Sequence, residues 1–131
     1  SPSMNFFDAT LVGEEGNLYV DAGDFRVQVP DVLRAPYDEY VGKEVIFGLR
    51  PEHIHAEQFT PPKILAAPIQ ATVEVVELLG HELHLYLTSG QNTFVGTVDT
   101  RLAPSPGQEL DLVMDMDRMH LFDKNTEQAI R

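Results

Sequence analysis

Four groups of residues have types and spacings that could do chemistry. Gly42-Lys43 is the only Gly-Lys pair. A phosphate-binding P-loop needs G-x-x-x-x-G-K-[ST], so that backbone N–H groups wrap the phosphates. Tyr37 stands where the first glycine belongs and Glu44 where Ser or Thr is required, which excludes a nucleotide site of this type. His81-Glu82-Leu83-His84 falls one residue short of the zinc motif H-E-x-x-H, which works because i and i+4 share a helix face. On a strand, a spacing of three sends the two imidazoles to opposite faces, as expected for an exposed or cross-strand His pair. Asp115 and Asp117 would share one strand face, with Asp111 and Asp123 near in sequence. Such carboxylates could hold Mg²⁺ or Ca²⁺. A solvated strand face is the ordinary reading. In Arg50-Pro51-Glu52-His53, Glu52 and His53 could act as a general acid–base pair. Alternatively the group is a structural turn, with Pro51 ending strand pairing and the planar fork of Arg50 clamping a carboxylate or backbone carbonyls.

The rest of the sequence narrows these options. The chain has 131 residues, enough for one domain that buries about 68% of its unfolded surface without disulfide or metal. Nine Lys and Arg against 21 Asp and Glu leave a net charge of −12. That field repels nucleic acid and anionic membrane surfaces. Cysteine is absent, so there is no thiol nucleophile, and the composition suits a reducing compartment. No G-x-S-x-G elbow occurs, no apolar run reaches 18 residues, and no secretion-signal pattern is present.

The elements that must position these residues read as strands. Phe25, Val27 and Val29 alternate with polar residues. So do Leu83, Leu85 and Leu87. Val45, Phe47 and Leu49, and then Leu110, Leu112, Met114 and Met116, recur at the same period of two. Gly-, Asp- and Pro-rich turns separate the runs, predicting nine short strands in an all-β barrel or sandwich. Asp31 to Arg34 is expected to form one helical turn stopped near Pro36. Residues 58–68, with three prolines, read as an extended connector between a first half, about 1–57, and a second half, about 69–123. The tail 124–131 reads as a short helix or a frayed end. Gly42 to Phe47 lines up with Gly107 to Leu112 at an offset of 65, and Asp8 to Leu11 with Gln70 to Val73 at 62. This self-similarity suggests two copies of one β-unit sharing a core.

Four segments in order carry a further likeness: Ser1 to Phe6, Phe47 to Ile54, Val73 to Glu82, and His120 to Asp123. Together they resemble the C-terminal regulatory region of ATP-binding subunits of carbohydrate-importing, maltose-type ABC transporters. The resemblance implies a TOBE fold, an OB-like β-barrel or sandwich of two similar halves. It implies a non-catalytic regulatory and dimerisation domain with no cofactor of its own, ATP and Mg²⁺ being bound by an ATPase domain upstream. The chain would then begin at the junction with that domain. The implied partners are the upstream domain, a second copy of the subunit and a regulatory protein. Membrane contact would be indirect, on the cytoplasmic face, through transporter subunits. Phe6 falls on the junction aromatic, while Gly48, Arg50, Pro51, Glu52 and His53 fall on the signature turn. Gly80 and Glu82 fall on the hairpin after the fifth or sixth strand. One departure concerns the second-half counterpart of Arg50-Pro51-Glu52, which reads Asp115-Met116-Asp117 and lacks proline. The solute would be a sugar or glycerol phosphate. Alternatively, the module binds a small oxyanion such as molybdate, as relatives of this unit do.

Overall fold

The computed structural model describes residues 3–131; Ser1 and Pro2, the first residues of the predicted junction segment, lie outside it. Among the described residues ten strands form two five-stranded antiparallel sheets. In chain order they are β1 (Asn5–Glu14), β2 (Asn17–Asp21), β3 (Arg26–Gln28), β4 (Glu44–Leu49) and β5 (Ile54–Ala56), followed by β6 (Ala66–Leu79), β7 (Glu82–Ser89), β8 (Asn92–Val98), β9 (Glu109–Asp115) and β10 (His120–Asp123). The nine strands predicted fall one short. A three-residue strand such as β5 is too brief for alternation to mark it.

The first sheet has the order β10-β4-β1-β2-β3 and the second β5-β9-β6-β7-β8. These are one order written twice. Strands β1 to β5 recur as β6 to β10, and a 3-10 turn precedes the last strand of each set, at Pro51–His53 and Met116–Arg118. Each sheet takes four strands from one half and its fifth from the other, β5 pairing with β9 and β10 with β4. The halves therefore cannot separate without breaking a ladder in each sheet.

The alternating apolar residues meet between the sheets. Leu11, Val20, Val45, Phe47 and Leu49 from the first sheet, and Val73, Leu85, Leu112 and Met114 from the second, are completely buried. Phe7 joins the layers: it stacks on Phe47 at 5.6 Å and meets Phe94 of β8 edge-on at 5.4 Å.

Several local expectations need correction. The expected turn forms, as the 3-10 turn Asp31–Leu33 with Arg34 at its end, but Pro36 is not what stops it. Pro36 opens a second 3-10 segment, Ala35–Tyr40, where a missing N–H costs no hydrogen bond. Pro68 lies inside β6 opposite Val113, not in a connector. β7 joins the other flank of β6 only from Thr72, so no ladder bond is lost there. Met116 does not extend β9, because the chain leaves the sheet at Asp115. The tail is neither helical nor frayed. Asp123 Oδ1 accepts from the Asn125 and Thr126 N–H groups, and the chain returns along β10 through Asp123 N to Gln128 O and Ile130 N to Leu121 O, each 2.9 Å.

Candidate functional site

The Arg50–His53 turn, expected as the signature turn, grows directly out of β4. Arg50 is extended (φ −73°, ψ 148°), and Pro51 fixes the start of a 3-10 turn in which the His53 N–H donates to the Arg50 carbonyl at 3.0 Å. Pro51 is buried, Glu52 is exposed, and His53 is half-buried with Nδ1 enclosed and unpartnered among the described residues. Glu52 and His53 share no hydrogen bond among the described residues, so no acid–base dyad is assembled. The Arg50 guanidinium instead points at the Ser3 carbonyl, 3.5 Å away.

Gly48 explains why the turn sits where it does. A Cβ at this position would lie 2.7 Å from Met4 Sδ and 2.9 Å from Phe122 Cε2. Only a residue without a side chain lets the entering segment and β10 lie this close to β4. Asn5 finishes the anchorage. Its buried carboxamide donates to the Val95 carbonyl (2.8 Å) and accepts from the Val95 N–H (2.9 Å). The entering segment is thus held by both sheets. Phe6, in contrast, is 62% exposed. It meets Phe122 edge-on at 5.9 Å, and Phe122 in turn stacks on His120 at 6.2 Å. Phe6 forms the ridge between two shallow grooves of about 480 and 490 Å³, the first walled by Met4 and Phe94, the second by Ile46 and Phe122.

Around the turn, burial holds the His120 imidazole below its ordinary pKa, with the charges of Arg50, His53 and Arg131 adding to the effect. Burial also lowers His55; Asp115 opposes the shift and His53 reinforces it. Both rings favour the neutral form.

The second-half turn makes its bend without proline. The Asp115 side chain accepts from the Asp117 N–H at 3.1 Å, capping the 3-10 turn from within. Asp115 is buried and Asp117 exposed, so the expected shared carboxylate face is absent. Among the described residues, no group of three His, Asp or Glu side chains is placed to hold a metal ion. His81 and His84 do not pair either. His81 sits in the hairpin turn, while His84 is buried and bonded to Glu82 Oε2 at 2.9 Å. Gly80, at φ +62°, supplies the left-handed residue of the turn after β6. The sequence singled out Gly48 and Phe6 but not Asn5, whose role depends on a residue ninety positions away.

Comparison with known proteins places this arrangement. Residues 1–54 match the family described as MalK OB fold domain, and residues 47–122 the TOBE domain family. The trehalose/maltose import ATP-binding protein MalK of Thermococcus litoralis is 42% identical over 99% of the chain. The oligosaccharides import ATP-binding protein MsmX of Bacillus subtilis is 39% identical over all of it. The multiple sugar-binding transport ATP-binding protein MsmK of Streptococcus mutans is 37% identical, again over the full chain. The chain spans about a third of the length of these relatives (35%, 35% and 34%). In structure it resembles the molybdate-bound cytoplasmic molybdate-binding protein ModG, with a TM-score of 0.59, 16% identity, and 92% of this chain and 95% of that one covered. That likeness is one of fold.

Proposed function

From a chain that belongs to the TOBE domain family, with a MalK OB fold domain over its first 54 residues, we propose a non-catalytic regulatory and dimerisation module of a carbohydrate importer's ATP-binding subunit. The carrying observation is that relatives named for import of trehalose, maltose and oligosaccharides match the chain end to end. ATP and Mg²⁺ belong, on this reading, to a nucleotide-binding domain outside this chain.

The geometry supports a mechanical role. Two sheets that exchange strands behave as one body. The entering segment is fixed to it by Asn5 on Val95, Met4 against Gly48 and Arg50 toward Ser3. A displacement that reaches Ser3–Asn5 is then passed to the whole module. Two such modules in contact keep their ATPase domains at high effective concentration while the nucleotide sites open and close. A regulator that binds one arrangement better biases the cycle by its differential affinity alone. On this reading the module works on the cytoplasmic face, through membrane-embedded partner subunits, as befits relatives that are import ATP-binding proteins. A molybdate-binding role has less support, since the likeness to ModG is one of fold at 16% identity.

Calorimetry of the chain with ATP–Mg²⁺ and with molybdate, alongside an ATP hydrolysis assay, tests this reading. No heat and no turnover are expected. ATP turnover by the chain would overturn the non-catalytic assignment, and tight molybdate binding would move the function to the oxyanion class.

A further inference from the structure

The longest strand of the fold is only half used. β9 pairs with β6 from Ala66 to Thr72 and no further. The Val73 backbone then closes on the 107–108 turn, accepting from Gly107 N at 2.7 Å and donating to Gln108 O at 2.9 Å. Beyond it, at Glu74, the register with β7 shifts, as at a β-bulge. From Glu74 to Leu79 the flank opposite β7 has no strand partner among the described residues. This half-strand also exposes apolar side chains: Val75 is 49%, Leu78 65% and Leu79 47% exposed. Leu78 pairs with buried Leu83 on the core-facing side, while Val75 and Leu79 pair with Tyr86 and Glu82 on the other. Both faces of the strand are therefore apolar and wet.

The charged side chains of the β6–β7 hairpin are carboxylates, with His81 and His84 as its imidazoles. Glu74, Glu77 and Glu82 are all exposed, and no Lys or Arg occurs between Ile64 and Val98. We propose that the Glu74–Leu79 edge of β6 is a docking strand for an extended segment of another protein that carries Lys or Arg alternating with apolar residues. Backbone hydrogen bonds along the open edge supply register, and Val75, Leu78 and Leu79 supply apolar contact. The glutamates select cationic partners. A second copy of this chain is disfavoured, because two edges that both carry glutamates, on chains of net charge −12, repel each other. This docking stands independently of any transport role.

The probe is a peptide of alternating Lys and Val, compared with an N-methylated form lacking outward N–H donors and with a Glu–Val form, at about 0.15 M salt. Calorimetry gives affinity and amide hydrogen exchange gives location. The Lys–Val peptide should bind and slow exchange specifically within 74–79. N-methylation, or the exposed-site double variant Glu74→Gln/Glu77→Gln, should weaken binding by about tenfold or more. The Glu–Val peptide should not bind. Unchanged exchange at 74–79, or equal binding of the N-methylated form, overturns strand addition. A self-associated chain with those same amides protected assigns the edge to a second copy and overturns the cationic partner.

Discussion

The carboxamide of Asn5 pairs with both the N–H and the C=O of Val95, although ninety residues separate them. One side chain thus imitates a neighbouring strand and ties the first residue of β1 to β8 in the other sheet. Replacing it with alanine leaves two buried backbone groups unsatisfied. Asn5→Ala should therefore lower stability by about 2 kcal/mol or more, read from the shift of the urea midpoint. Asn5→Asp should also destabilise, because a carboxylate cannot donate to the Val95 carbonyl.

Gly48 is limited by volume, not backbone freedom. A methyl group there meets Met4 and Phe122 inside normal contact distance, so Gly48→Ala should cost about 1–3 kcal/mol. Met4 is the flexible neighbour. Adding Met4→Ala to Gly48→Ala should recover part of that loss, and the double-mutant cycle should show coupling of about 0.5 kcal/mol or more. Strict additivity would mean that the close approach is relieved elsewhere.

Much of this architecture is readable in the residues, and the failures have physical causes. Strict alternation in Phe25–Val29, Val45–Leu49 and Leu83–Leu87 marks strands whose one face meets the core. The self-similarity at an offset of 65 is repeated in the duplicate strand order of the two sheets. The exchange of β5 and β10 is not readable, because pairing between distant segments leaves no local signal. Met116 carries the period of β9 yet sits in a 3-10 turn, since Asp115 caps the bend through its own side chain. The signature turn is legible as a motif. Its grip on Met4 and Ser3 is a tertiary fact.

Loop docking at the far end gives a second steric test. Gly90 adopts φ +58°, and a Cβ there would lie 2.0 Å from Asp24 Cγ, whose Oδ2 accepts from the Gln91 N–H at 2.7 Å. Gly90→Ala should destabilise by about 1–3 kcal/mol through both strain and displacement of Asp24. Thermal unfolding should register it as a lowered midpoint.

Acid should act in two separate windows. His55 and His120 have folded-state pKa values below the ordinary 6.5, so the unfolded chain takes up protons first. Their contribution is complete above that value and declines as pH falls through it. The double variant His55→Gln/His120→Gln should flatten the stability–pH slope just below 6.5. Asp99, held at about 2 by Arg101, and Asp123, lowered by the Thr126 and Asn125 N–H groups, contribute stability present above 3.8 and lost as pH falls below it. That lower window should persist in the double variant.

The most direct measurement is a graft. The matching region of the 42%-identical trehalose/maltose import ATP-binding protein is replaced by this chain, and trehalose-stimulated ATP hydrolysis is measured in the reconstituted transporter. The graft should restore stimulation that a subunit lacking the region does not show. A graft no better than that truncated subunit would contradict the role assigned to this module.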